Sequence, residues 1–252
     1  IYIVIMSVEV VTYANKSSGM FEQLINNEHG VKVKVLGMGK KWNGFLDKTK
    51  GVLEYMETKK DDNDIIVFVD GFDTIINKDI SNVKSLFESY ECKILFSKNP
   101  DIFDIGFGFP KCDDKNIGNA GMYMGYVKYL KILLKESLKP KCEDDQYNLN
   151  TLCKKYDFIK IDDKELIFKN FSPLDDKKES VNAVFVSFPG SITLERISRQ
   201  PKEYMQFFYI HLLFVNIALL ALFPKKQNYL MGSLLLFTSF YVFYADKSCT
   251  TD

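Results

Sequence analysis

The sequence is poor in arginine, histidine and tryptophan, with two arginines (Arg196 and Arg199), two histidines and a single tryptophan among 252 residues. The other 31 of its 33 basic residues are lysines, which meet anions as point charges rather than as planar forks. Acidic residues also number 33, so the net charge is zero and the basic footprint of a nucleic-acid-binding protein is missing. No nucleic-acid partner is expected. The five cysteines, Cys92, Cys112, Cys142, Cys153 and Cys249, form no CxxC pair and, with so little histidine, no zinc-site spacing. Their odd number and loose spacing argue against a disulfide scaffold while leaving room for one or two bridges. No basic flank precedes the first apolar run, so no secretory leader is expected.

What is present is core material. At 46% hydrophobic and 26% charged residues, the composition suits one folded domain of ordinary size with an appendage. Strand-like apolar runs at 2–8, 32–36, 65–69 and 93–97 alternate with helically spaced stretches at 20–27, 48–59 and 83–90. Further on, 122–126 reads as a strand, and 127–138 and 144–156 read as helices. This βαβ alternation predicts an α/β fold with a mainly parallel, Rossmann-like sheet flanked by helices, with ligands beyond the carboxyl ends of its strands.

Near the C-terminus, 207–223 and 229–245 are uncharged stretches of 17 residues each, on either side of a turn containing Lys225 and Lys226. As helices each spans roughly 25 Å against a hydrocarbon core of about 30 Å, so a transmembrane hairpin in a lipid bilayer is expected. The chain then divides into a body, 1–202, and a membrane tail, 203–252. Arg196, Arg199 and Lys202 before the first span give a thin vote for a cytosolic body. Two glycosylation triplets, Asn15-Lys16-Ser17 and Asn170-Phe171-Ser172, carry meaning only if the body faces a lumen of the endomembrane system.

The chemistry-bearing pattern follows the run 65–69. Asp70-Gly71-Phe72-Asp73 sets two carboxylates at the end of a buried strand, where both can reach one hard cation, although a turn cap and a solvated loop acid account for them equally well. Glu143-Asp144-Asp145-Gln146 opens a helix, a position acids also favour simply because they offset the helix dipole. Asn119-Ala120-Gly121 lets backbone and an amide side chain approach a ligand closely. Trp42 lies in a glycine-containing loop with a face free to stack on a base or to cover the core, and Lys48 opens the next helix, where a phosphate is attracted.

Taken in order, Gly37-Met38-Gly39, Trp42, Lys48, Phe68-Val69-Asp70-Gly71-Phe72-Asp73, Leu95-Phe96-Ser97, Asn119-Ala120-Gly121-Met122-Tyr123-Met124-Gly125 and Asp144-Asp145-Gln146 form a series. It resembles the glycosyltransferase domain of the procollagen lysyl hydroxylases and, more distantly, the collagen galactosyltransferases. The resemblance runs from the first strand to about Gly190. It implies a GT-A fold, a UDP-sugar donor such as UDP-glucose or UDP-galactose, bound Mn²⁺, and a protein or glycan hydroxyl as acceptor, hydroxylysine of collagen-like chains among them. Asp70 and Asp73 match the metal-binding acids, and Phe72 stands where the family has a tyrosine beside the uracil. Trp42 matches the loop tryptophan, Lys48 the phosphate-contacting lysine, and Asn119 the asparagine of the N-S-G motif. Asp144, Asp145 and Gln146 match the end of the acidic run near donor sugar and acceptor. Two departures stand out. Val186-Ser187-Phe188 replaces the context of the family's histidine ligand, and Cys142-Glu143 shortens the acidic run.

The mechanism implied is electrostatic, with metal and Lys48 stabilising the leaving diphosphate while Asp144 or Asp145 positions the donor sugar or accepts the acceptor's proton. The alternative, motivated by the missing histidine, is a noncatalytic nucleotide-sugar-binding membrane protein.

Overall fold

The structure is a computed structural model that describes residues 7–100, 109–171 and 181–189, together with 213–215, 217, 218, 232 and 249. The chain divides into one unit of Ile1–Asp104 and Pro110–Gly190 and a second of Ile105–Phe109 and Ser191–Asp252, and the sheet with its helices belongs to the first. In chain order the elements are β1 Val8–Tyr13, α1 Phe21–Ile25, β2 Val33–Leu36, α2 Leu46–Glu57, β3 Ile65–Asp70, β4 Thr74–Ile76, α3 Val83–Ser89 and β5 Ile94–Lys98. They continue with β6 Gly118–Tyr126, α4 Val127–Ser137, α5 Asp145–Cys153, β7 Ile159–Asp162, β8 Phe168–Asn170 and β9 Phe185–Ser187.

The main sheet has the order β2-β1-β3-β6-β5-β7. All its strands run the same way except β6, which pairs antiparallel with both β3 and β5. The expected mainly parallel α/β sheet is therefore present. Because side chains alternate along a strand, β3 feeds two cores. Ile66 and Phe68 join the core under α2, α4 and α5, with Val52, Met56, Leu130 and Leu149. Ile65, Val67 and Val69 join the opposite core with Leu24, Phe87, Phe168 and Phe185. Asp70 has the parity of Ile66 and Phe68, so it belongs to the face that α2 and α5 cover.

The first strand differs from expectation. The apolar run suggested 2–8, but the strand described is Val8–Tyr13, and residues 1–6 lie outside the described part. Its polar members are accommodated by partners: Glu9 takes hydrogen bonds from Tyr55 and Lys59, and Thr12 Oγ1 donates to the Val69 carbonyl at 2.7 Å. β4, β8 and β9 form a second, three-stranded sheet that the periodicity did not announce, because each strand has three residues. Asp162 at the end of β7 anchors β8 by accepting from Ile167 N at 2.8 Å, Phe168 N at 2.7 Å and the Tyr90 hydroxyl.

Cys112 and Cys153 form a disulfide, one of the bridges for which the cysteine count left room. Cys92 is a free, buried cysteine whose thiol burial pushes up to about 12. The hairpin segments 207–223 and 229–245 and the 202/203 boundary lie outside the described residues, apart from 213–215, 217, 218 and 232. Among the described residues no helix is long and apolar enough to cross a membrane.

Candidate active site

The site forms at the carboxyl edge of β3, where two helices each turn a charged residue inward. On α2, Lys48, Val52 and Met56 are buried at successive intervals of four, so Lys48 occupies the core-facing stripe one turn before the apolar residues begin. On α5, Asp145, Leu149 and Cys153 repeat the same arrangement. These stripes bring Lys48 Nζ to 3.0 Å from Asp145 Oδ2 and 3.3 Å from Asp70 Oδ1. Three parts of the chain thus meet in one buried ion triad, in which the Asp70 side chain keeps 29% exposure.

Burial works against the Lys48 ammonium, but Asp145 and Asp70 outweigh it and raise its pKa above the ordinary lysine range. Burial raises the Asp70 carboxyl to about 7, with Lys48 pulling it down and the charges of Asp73 and Asp145 adding to the rise. Among the described residues three carboxylates stand against one ammonium here, which leaves the site short of positive charge.

Asp73 lies half-buried in the turn after β3, and its Oδ1 accepts from Ser187 Oγ at 3.2 Å. The second sheet makes that contact, since Thr74 pairs with Ser187. Phe72, in the same turn, is 36% exposed. Asn119 and Gly121 arrive from the first residues of β6, which reach this edge because the strand runs backward. Asn119 Oδ1 accepts from Gly121 N at 2.7 Å, and its Nδ2 donates to Asn99 Oδ1 at 3.2 Å. A side chain on Gly121 would sit 2.8 Å from both Asp70 Oδ2 and Asn119 Oδ1, so glycine is required for this approach. Gln146 Oε1 accepts from Ala120 N at 3.4 Å.

The expected residues do not all share one role. Asp144 caps α5, its Oδ1 accepting from Tyr147 N at 2.8 Å, whereas Asp145 is the acid held by Lys48. Trp42 is partly buried between Tyr13 and Phe45, with ring centroids 6.1 Å from each, so the loop tryptophan packs on the core beside the site. Tyr123 was missed by the sequence reading. It stacks on Phe68 at 5.0 Å, and its buried phenol, raised above the tyrosine range by burial, feels the charges of Lys48, Asp145 and Asp70. Its alternation with Met122 and Met124 would have placed it on the Asp70 face. A cavity of about 540 Å³ lined by residues including Glu9, His29, Lys32 and Asp79 lies where β1 and β2 begin, away from these groups.

The described residues contain no group of three or more His, Cys, Asp or Glu side chains that could hold a metal ion. The donor set still suits a hard cation, because Asp70 and Asp73 offer only oxygen and the triad carries excess negative charge. Protein ligands alone do not complete a coordination shell, so ligand oxygens would have to supply the remainder.

Residues 5–185 match the family model described as PLOD GT domain. The chain belongs to this family. The match contains every site residue except Ser187. A procollagen lysine hydroxylase and glycosyltransferase of Caenorhabditis elegans, named as multifunctional, is 28% identical over 212 residues, covering 77% of this chain and 27% of its own. A procollagen-lysine,2-oxoglutarate 5-dioxygenase of Drosophila melanogaster is 24% identical over 156 residues, covering 56% and 22%. The chain therefore spans about a quarter of the length of these relatives. Among solved structures, A197 from STIV aligns with a TM-score of 0.40 at 13% identity, over 59% of this chain and 78% of that one. The PLOD GT domain is a glycosyltransferase-type domain, and Lys48, Asp70 and Asp145 form the buried charge cluster of this member.

Proposed function

We propose that this PLOD GT domain is a metal-dependent hexosyltransferase that moves a sugar from a UDP-linked donor to a hydroxyl acceptor, hydroxylysine of collagen-like protein being the acceptor class the resemblance suggests. The observation that carries the reading is the Lys48–Asp70–Asp145 triad at the carboxyl edge of β3, within the family-matched segment. Asp70 and Asp73 would hold Mn²⁺, which when bound supplies Lewis-acid stabilisation of the diphosphate oxygens.

The other steps fall to the chain's own residues. Lys48 adds positive charge beside the leaving diphosphate as the bond from the anomeric carbon to the phosphate oxygen breaks. The acceptor oxygen forms the new bond at that carbon and passes its proton to the Asp145 carboxylate. Asp145 takes a hydroxyl of donor or acceptor by hydrogen bonding, while Asp144 keeps the helix start in place as its cap. Asn119 and the Gly121 backbone line the near wall, and exposed Phe72 offers a face for the base.

Two further features bear on setting. Residues 213–215, 217 and 218 are helical, with Leu213, Phe214, Val215 and Ile217 exposed, as suits a bilayer anchor. The Cys112–Cys153 bridge favours an oxidising lumen over the cytosolic side that the flanking lysines and arginines favoured, and we place the body in the lumen. Protection of the body from protease in sealed microsomes tests that orientation. Asn170 is buried and its Nδ2 donates to the Lys98 carbonyl, so only Asn15 of the two triplets would be open to modification.

The activity test is UDP release from UDP-glucose or UDP-galactose with Mn²⁺, with and without chelator, in the wild type and Asp70→Ala. Chelator-sensitive turnover lost in Asp70→Ala is expected. Donor binding without turnover would instead favour the noncatalytic sugar-nucleotide binder, the reading motivated by Ser187 at the histidine position.

A further inference from the structure

We propose that Asn150 is the positioning residue that holds the acid-bearing turn of α5 in working register with β6. This rests on the reading of Lys48, Asp70 and Asp145 as the working cluster. Asn150 is 2% exposed and lies on α5, four residues after Gln146. Its Oδ1 accepts from Gly118 N at 2.7 Å, and its Nδ2 donates to Gly118 O at 2.8 Å and to Gln146 O at 2.8 Å. One carboxamide therefore takes both backbone groups of the first residue of β6 and a carbonyl in the first turn of α5.

Gly118 needs this partner because β3 pairs with β6 only from Met122 onward, leaving the first residues of β6 beyond the reach of that neighbour. Those residues include Asn119 and Gly121, which touch the Asp70 side of the site. The first turn of α5 carries Asp145 and Gln146, and Gln146 Oε1 returns to Ala120 N. Asn150 thus joins two walls of the site at one point. The Cys112–Cys153 bridge fastens the last residue of α5, one turn beyond Asn150, to the segment leading into β6, so the second half of the helix is tied twice to the same stretch of chain. Loss of the Asn150 pin leaves α5 tethered but lets its first turn drift, which weakens the Asp145–Lys48 contact without removing either group.

The test is a double-mutant cycle read by urea unfolding of the full chain, together with the kinetic split. Lys48→Met is made in the wild type, in Asn150→Ala and in Asn27→Ala. Asn27 is the control, since it makes three hydrogen bonds with the Leu24 and Val31 backbone, before β2 and away from the site. Lys48→Met is expected to lower the unfolding midpoint in the Asn150→Ala background by less than about half of what it does in the wild type, with no such saving in Asn27→Ala. Equal midpoint losses in all three backgrounds overturn the proposal, whether or not the protein transfers sugar. In the transfer assay, Asn150→Ala should lower kcat by about tenfold or more with donor KM within about twofold, while Asn27→Ala changes neither. An unchanged kcat in folded Asn150→Ala also overturns it. Asn150→Ser, whose hydroxyl can still bond the carbonyl four residues back but cannot span to Gly118, gives the same readouts if the alanine variant does not fold.

Discussion

Replacing Lys48 with methionine keeps most of the side-chain volume and removes the cation that Asp70 and Asp145 share. The contacts at 3.0 and 3.3 Å each represent roughly 5 kcal/mol of gross attraction at an effective dielectric of about 20. Desolvation of the three groups offsets much of that. Removing a single partner of a buried pair nevertheless costs about 3–5 kcal/mol, because the remaining charges stay behind unpaired. For a body of this size the cost corresponds to a fall in Tm on the order of 10 °C. The penalty carries a pH signature. Asp70, raised to about 7 from its ordinary 3.8, takes up a proton on folding, so its contribution to stability falls as pH rises through that interval. Without Lys48 the carboxyl is pushed higher still. At about pH 5 the carboxyl is protonated in both folded proteins, whereas at about pH 8 the wild-type group has ionised and the variant must still take up a proton to fold, so the Lys48→Met penalty should grow with pH. Circular dichroism melts of both proteins at the two pH values provide the assay. A penalty that is absent at pH 8, or equal at both values, would refute the account of the triad.

Other outcomes follow from the same geometry. Asp70→Asn should abolish chelator-sensitive UDP release and flatten the decline in stability between about pH 4 and 7, as read from melts across that range. Gly121→Ala should displace the Asp70 carboxylate, lowering kcat in the transfer assay by more than about tenfold with only a small change in Tm. Opening the Cys112–Cys153 bridge, by reductant or by paired serine substitution, frees a loop with a sequence separation of 41. It should cost about 2–4 kcal/mol in urea unfolding, with the larger loss appearing under non-reducing conditions in the substituted protein.

The central sheet could be read from the sequence because β2, β3 and β5 are short, dense runs of Val, Ile, Leu and Phe, and their side-chain period set the faces. β1 was placed too early. Its polar Glu9, half-buried, and Thr12, buried, sit in the strand only because Tyr55, Lys59 and the Val69 carbonyl receive them, and such long-range partners leave no local trace. Asp70, Asp145 and Lys48 were singled out from motif order, while a purely local signal for two of them went unused. Lys48 and Asp145 each stand four residues before an apolar position in a buried helical stripe, a place where a charge needs a partner. Asp144 and Asp145 could not be separated by sequence, since which acid caps and which turns inward depends on where the helix begins. Asn150 gave no signal, because its target is backbone that becomes available only where β6 outruns β3.

The sealed position of Cys92 has a practical consequence. A thiol raised to about 12 and buried at 5% exposure presents almost no thiolate to an alkylating reagent while the sheet is closed. Modification then waits for the strands around β5 to part, so the labelling rate in native buffer becomes a stopwatch for how often this sheet breathes. A ligand that binds at the far edge and tightens the body should slow that stopwatch without coming near the sulfur.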